Sequence, residues 1–502
     1  MSVCIDESNG FACFDLLVPH QLAVPRADDQ LLRRSLERLD GDRAVNASTE
    51  NTEAGEDSAK RRQRFNYRKL FWRWHKLAGL LGGPLLVLIA LTGAILVFSP
   101  EIDDWLRPDL KVIESPIPNA EPISDQAMID LVREHVPDKR LLLYFQGEHS
   151  HEPYQFLLIG NPKEGLHDVW VNPYSGEIVG DRMRETAFVR IVEQIHRRLL
   201  TGEVGSSIVE FITGWGIVLV LTGLFMWWPR NLKALRHGLT VPFRGSGYKI
   251  NWRLHNAVGA WIAVFILLMC LTGMVFSTYS GKIYRSIMQA TGGAFGSSVT
   301  STPTPGTATV SVDKVLEVIR NEVGQDAPLT VFLPNGEKAC YVVQSRREER
   351  PVWTNRHDYR RWSFDQYSGE MLKRETWHDV HPMMRFWILS LTIHYGSFIG
   401  WPTKILAIVA CLTLPILAVT GYLIWWWKRR ARVNSASGPS AVSNRVAARA
   451  PAPVPKGLIV CLVGVGIVFP TIGVSFLALL GWEGLVRVVR GKPGQSSFPP
   501  RS

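Results

Sequence analysis

WHKLAGLLGGPLLVLIALTGAIL, residues 74–96, decides the reading of the chain. It is apolar over about 20 residues, the length that crosses a hydrocarbon core of about 30 Å. His75 sits in its first turn, Gly79 follows four residues later, and Thr92-Gly93 follows seventeen later. The same register returns in LHNAVGAWIAVFILLMCLTGMVF, residues 254–276, with His255, Gly259 and Thr272-Gly273, and both stretches lead into Phe-Ser. A second matched pair lies between and beyond them. His196 precedes Thr222-Gly223 by 26 residues and His394 precedes Thr420-Gly421 by 26; Gly202 and Gly400 follow these histidines by six. These segments close on WWPR from Trp227 and WWWK from Trp425, the aromatic and basic pattern of a membrane interface.

Self-similarity at this level makes the chain two copies of one unit. Apolar windows run over 77–98, 208–228, 258–276, 405–427 and 457–480, so the fold class expected is a membrane protein. It is an α-helical bundle of two parallel repeats, with four core transmembrane helices, a fifth after them, and two small α+β domains in the long connections. Those connections echo each other: VWVNPYSGEIVGDRMRET at 169–186 and RWSFDQYSGEMLKRET at 361–376 share YSGE, a turn signal. Upstream of each, YQFLLIG and KACYVVQ read as strands. An even number of crossings between the copies gives them one orientation, hence a pseudo-two-fold axis along the membrane normal.

The 502 residues carry a net charge of +11, 56 basic against 45 acidic. The cations gather beside spans, in KRRQRFNYRK (60–69), PRNLKALRHGLTVPFRGSGYKINWR (229–253) and KRRARVNSASGPSAVSNRVAARA (428–450). That is the positive-inside pattern and not a nucleic-acid surface, so the partner it implies is membrane lipid. The expected order is a disordered cytoplasmic leader, 1–64; span 1, 65–99; a first periplasmic domain, 100–195; span 2 with its outer extension, 196–230; and a basic cytoplasmic loop, 231–254. Span 3 follows over 255–277, a second periplasmic domain over 278–390, span 4 with its extension over 391–428, a basic linker over 429–456, the fifth span over 457–482 and a tail over 483–502. This places the protein in a bacterial inner membrane with a cytoplasmic N-terminus.

A single histidine at a helix end is ordinary; four in two matched registers are not. By direction of crossing, His75 and His255 lie near the inner face and His196 and His394 near the outer face. Each pair can supply two axial ligands to one metal centre. Two imidazoles without nearby thiolates or carboxylates suit haem iron better than structural zinc, which takes four protein ligands. Gly79 and Gly259, one turn on, leave room for a flat macrocycle or for close helix packing. Arg197 and Arg198 can pair propionates or anchor headgroups. HSHEP at 149–153 offers His149 and His151, more simply read as a solvated loop. No GxGxxG follows a strand, so the chain has no flavin or nicotinamide site of its own, and its electron donor is another protein or a quinol.

The His-x3-Gly start with its later LTG, the IHRRLLTG segment, the WWPR exit and the paired YSGE domains resemble the PepSY-associated transmembrane family over most of 65–432. Members are called iron-regulated membrane proteins and include siderophore reductases of the FoxB type. The resemblance implies two b-type haems on His75, His255, His196 and His394, with electrons from a cytoplasmic reductase or a quinol reducing ferric siderophore in the periplasm. WHDVHP at 377–382 departs from the first copy, so His378 or His381 could replace His394 as a ligand. Two other classes remain: a non-redox sensor or interaction protein built on PepSY-like domains, and a transporter.

Overall fold

The computed structural model describes residues 67–113, 121–147, 149–161, 165–242, 244–293, 299–303, 306–324, 327–345, 359–436 and 456–490. The leader expected over 1–64, most of the linker over 429–456 and the end of the tail lie outside them. In chain order, α1 is Tyr67–Leu96, α2 Ser99–Leu106 and α3 Asp125–His135. Strands β1 (Arg140–Phe145), β2 (Tyr154–Ile159), β3 (Leu166–Val171) and β4 (Ile178–Met183) follow, then α4 (Phe188–Arg198), α5 (Gly202–Trp227), α6 (Leu232–Gly238) and α7 (Gly247–Met274). The second half runs α8 (Tyr279–Ala290), α9 (Val312–Val323), β5 (Leu329–Phe332), β6 (Cys340–Ser345), β7 (Arg360–Asp365), β8 (Met371–Thr376), α10 (Pro382–His394) and α11 (Trp401–Ala436). Two last helices are α12 (Lys456–Val468) and α13 (Pro470–Arg490).

Among the described residues, α1, α5, α7 and α11 are long and apolar enough to cross a membrane. A helix is the one open-ended segment that satisfies its own backbone there. α1 packs on α5 and α11, and α7 packs on the same two, closing a four-helix ring. Short helices α4 and α10 precede α5 and α11, and each ends on a histidine-bearing turn. After α4 the chain breaks through Leu199 and Leu200, both at positive φ, and after α10 it breaks through Gly396 at φ 71°. The break frees the histidine from the axis of the following span.

The fifth window is not one span. It folds as α12 and α13, which pack against each other with Gly466 and Gly473 in backbone contact. Pro470 lacks the N–H that would continue α12 and restricts Phe469 before it, and the two glycines let the chain turn sharply. α13 docks on the bundle through Ile472, seated against Gly214, and Phe476, stacked on Trp74 at 5.2 Å between ring centroids.

The two α+β domains expected from the connections are halves of one structure. Their strands form a single antiparallel sheet in the order β4-β3-β2-β1-β5-β6-β7-β8. The join is the β1–β5 pair, with Tyr144 opposite Val331. Helices α3 and α9 cover one face and share one core, in which Met128, Val132 and Phe156 meet Val315, Ile319 and Trp362. Neither half could bury its central edge alone, and an open edge exposes unpaired backbone groups. The shared YSGE makes the same turn twice: Asn172 Oδ1 accepts from the Tyr174 and Ser175 amides, and Asp365 Oδ1 from Tyr367 and Ser368. Gly176 and Gly369 complete it at φ 74° and 76°, where a side chain is disfavoured.

Candidate functional site

The four repeat histidines come together as two pairs. The rings of His196 and His394 lie 6.2 Å apart between centroids on the sheet side of the bundle. Those of His75 and His255 lie 6.3 Å apart toward the far side. Along α1, seventeen residues separate His75 from Thr92, which touches His196, so about 25 Å of helix lies between the two levels.

Each histidine is received by a Thr-Gly dyad on a neighbouring helix. His75 Nδ1 donates to the Leu219 carbonyl and Thr222 Oγ1, both at 3.1 Å, and His255 Nδ1 to Thr420 Oγ1 at 2.9 Å. His196 Nδ1 reaches the Ile89 carbonyl at 2.8 Å and Thr92 Oγ1 at 3.2 Å; His394 Nδ1 reaches the Met269 carbonyl at 3.0 Å and Thr272 Oγ1 at 3.3 Å. Every one of these threonines spends its own proton on the carbonyl four residues earlier, at 2.8 Å for Thr92, 2.6 Å for Thr222, 2.8 Å for Thr272 and 2.7 Å for Thr420. A hydroxyl so engaged can only accept from the ring. Nδ1 therefore carries the proton, and Nε2 keeps the lone pair that a metal takes. This is the outer-shell bond that orients ligating histidines.

The glycine of each dyad gives the ring its space. A Cβ on Gly273 would stand 2.9 Å from His394 Cε1; on Gly93 and Gly223 it would stand 3.1 Å from His196 and His75, and on Gly421 3.3 Å from His255. Gly79 and Gly259 do not face the rings in this way. A Cβ on Gly79 would meet Leu219 at 3.8 Å and one on Gly259 would meet Leu417 at 3.6 Å, ordinary van der Waals contact. The sequence marked Thr-Gly as a repeat signature without its role. Four dyads for four histidines, at constant spacing, was the available signal.

Two rings placed on opposite sides of one metal, each nitrogen about 2 Å from it and each centroid about 1 Å further, stand about 6 Å apart. Both pairs have that spacing. Around the sheet-side pair opens a cavity of about 630 Å³, within the range of small-molecule and cofactor sites. Apolar residues such as Leu86, Ile89 and Met269 line it within the bundle, and Gln155, Asp168, Arg182 and Arg184 form a polar roof from the sheet. Its lining is apolar within the bundle and charged at the sheet end, with His196 and His394 both on its wall, a donor set that would suit a metal-centred cofactor with an apolar body and a polar edge.

A family model described as the PepSY-associated TM region matches residues 72–429. The chain belongs to this family. No curated protein matches the chain. The matched span of this PepSY-associated chain holds all four histidines and dyads, and ends before α12.

The other candidates separate from the pairs. His381 caps α10, its Nδ1 accepting from the Met383 amide at 3.3 Å while Nε2 meets the Thr291 carbonyl at 3.0 Å. His378 is exposed. Neither takes the place of His394 opposite His196. His149 and His151 stack at 5.4 Å, both exposed, and among the described residues no group of three or more His, Cys, Asp or Glu gathers as for a metal ion. Arg197, itself exposed, lines the cavity and pairs with Glu193 at 2.9 Å; Arg198, also exposed, is not among the lining residues. Arg182, Arg184 and Arg190 also line the cavity; the sequence held no spacing that tied these sheet and helix positions to the histidines.

Proposed function

We propose that the protein is a dihaem membrane reductase that passes electrons across the bilayer and reduces ferric siderophore in the periplasm. One observation carries this reading: two pairs of imidazoles, each about one metal's width apart, each with Nδ1 tied to a Thr-Gly dyad and Nε2 left as a lone pair. Haem iron held by two imidazoles exchanges one electron, with its potential set by those ligands, their hydrogen bonds and burial. The chain's residues do the rest. The dyads fix ring tautomer and angle at both levels, the apolar walls keep water out, and α1 and α7 each carry one histidine and receive another. A lattice of this kind would hold two redox centres at two depths of the bundle, where no side chain otherwise carries an electron.

Direction follows from charge. At the end of the bundle away from the sheet, Lys76 and Lys428 lie over Trp72 at 4.9 and 5.9 Å, and Arg429 and Arg430 over Trp425 and Trp426. Lys404 lies over Trp401 at the sheet end as well, so the stacking itself carries no direction. The crowding of basic residues beside the far end supports reading that end as cytoplasmic and the sheet as periplasmic in a bacterial inner membrane. Electrons enter from a cytoplasmic reductase or a quinol. Ferric iron bound by hard oxygen donors accepts one electron at the sheet side and becomes ferrous, which those donors hold far less tightly. Purified protein should show two reduced b-type α bands, resolved by redox titration, and should reduce ferric hydroxamates anaerobically. A colourless preparation would rule out the haem centres and favour a sensor; a pigmented one inert to ferric siderophores would move the substrate elsewhere.

A further inference from the structure

The walls of the sheet-side cavity are not alike. Among the described residues, every charged side chain on them comes from the first repeat: Arg182 from β4 and Arg184 just after it, Arg190 and Arg197 from α4, with Asp103, Asp168, Glu193 and Glu210 among them. Aligning YSGE with YSGE sets Glu375 and Trp377 in the second repeat where the first has Arg182 and Arg184. Aligning His196 with His394 sets Ile388, Leu391 and Tyr395 where the first has Arg190, Glu193 and Arg197. Of these, Leu391 and Tyr395 line the cavity beside Trp387. The cavity thus has, among the described residues, a charged wall of four arginines and four carboxylates on one side and a largely apolar wall on the other.

The carboxylates hold the arginines in place. Asp103 takes two bonds from Arg182, at 3.0 and 2.6 Å, and Arg190 pairs with Glu193. Arg182 is further stacked over Trp170 at 5.1 Å. Glu210 is fully used elsewhere, accepting from the Tyr279 and Ser280 amides and the Ser280 hydroxyl. Even so, the Nε–H groups of Arg182 and Arg190 are buried without an acceptor. A buried donor left unpaired is destabilising, so such a group calls for an acceptor that completes the site.

A b-type haem has one edge with two carboxylates and an opposite edge that is apolar. Two imidazoles related by a pseudo-two-fold do not distinguish its edges; the walls do. Resting on the dihaem reading above, we infer that Arg182 and Arg190 are positioning residues for the propionates of the sheet-side haem. They fix it in one orientation, with its apolar edge against Trp387, Leu391 and Tyr395. The polar edge then faces β3 and β4, and electrons leave on the side of the first half of the sheet.

The test uses full-length, haem-loaded protein in detergent, in a His75→Ala background so that the sheet-side haem is read alone. Arg182→Leu with Arg190→Ile, the latter the residue of the second repeat, removes both donors. Loss of two cations beside the propionates disfavours the more negative ferrous state, so the midpoint potential should fall by a tenfold or greater change in the reduction equilibrium, about 59 mV for one electron. The propionate-bending bands in resonance Raman spectra should shift with it. Arg198→Leu, at an exposed position, should leave both unchanged. If the double variant loads poorly, Arg182→Lys with Arg190→Lys keeps the charge and loses the fork, and should shift the Raman bands with little change in potential. Unchanged bands in loaded variants, or equal shifts from Arg198→Leu, overturn the inference while leaving the dihaem reading intact. Colourless wild-type protein would instead overturn that reading.

Discussion

The bundle and the sheet keep the repeat in different ways. In the bundle, the two copies match residue for residue at the sites of contact: four histidines, four threonines and four glycines meet in one geometry. In the sheet, they match in strand order and in the YSGE turn, but the core is filled differently, by Tyr144 and Phe156 in one half and by Trp362 and Phe364 in the other. Packing accepts any apolar set of suitable volume, whereas a directed hydrogen bond accepts one atom in one place. In the bundle, the threonines that match across the copies are those that fix a ring nitrogen.

The largest effect expected is at the rings themselves. On the dihaem proposal, His196→Ala and His394→Ala should each remove the sheet-side haem, about half the pigment per chain by haemochrome assay, and His75→Ala and His255→Ala should each remove the other. If all four variants lost both haems, the two levels would not be independent sites. Next come the dyad glycines. Alanine should impair haem retention in the order Gly273 first, Gly93 and Gly223 next, Gly421 least, following the 2.9, 3.1, 3.1 and 3.3 Å clearances to the rings. Gly79→Ala, at 3.8 Å from a leucine, should change little. An order unrelated to clearance would mean that the glycines serve helix packing alone.

Much of this was legible in the residues, and what was not has a physical cause. Hydropathy and the His-to-Thr-Gly spacing exposed the four spans, because lipid demands long apolar helices and the repeat supplied an internal copy. The pairing of His75 with Thr222 and of His196 with Thr92 was hidden, since it joins helices far apart in the chain. YQFLLIG and KACYVVQ read correctly as strands, β2 and β6, but nothing local in β1 or β5 says that they bond to each other. The break at Pro470 was overlooked because the window 457–480 is apolar throughout, and apolarity measures composition rather than continuity. Arg182 lay inside a repeat already explained by its turn.

In the sheet, substitutions that respect volume should be mild. Ile319→Val, in the shared core, should cost about 1 kcal/mol in thermal unfolding and leave the haem spectrum unchanged. A change in the Soret band would show that the sheet core and the histidines are mechanically coupled. A smaller change should follow from Thr222→Val. It removes one acceptor from His75 Nδ1 while the Leu219 carbonyl remains at 3.1 Å, so the imidazole becomes a weaker donor and the far-side potential rises, by less than about 59 mV. Thr222→Ser should restore it.

A buried carboxylate in the sheet departs from this tolerance, and it sharpens the comparison. Asp125, at the start of α3, accepts from the Tyr144 hydroxyl at 2.5 Å and from Gln146 Nε2 at 2.7 Å in the buried core. Burial pushes its carboxyl above the ordinary value of 3.8, outweighing the hydrogen bonds from Tyr144 and Gln146 and the nearby charge of Arg320. Between 3.8 and that raised value, the folded chain binds more protons than the unfolded one, so stability falls as pH rises, and the loss persists above it. Asp125→Asn keeps an oxygen for both donors without the charge. Hydrogen exchange of the β1 amides in the full chain should therefore slow in wild type, relative to the variant, as pH falls through that window, after correction for intrinsic exchange. A wild-type curve parallel to that of Asp125→Asn would mean that the carboxylate is as well solvated here as in the unfolded chain. The polar contacts of the sheet would then be as replaceable as its apolar ones.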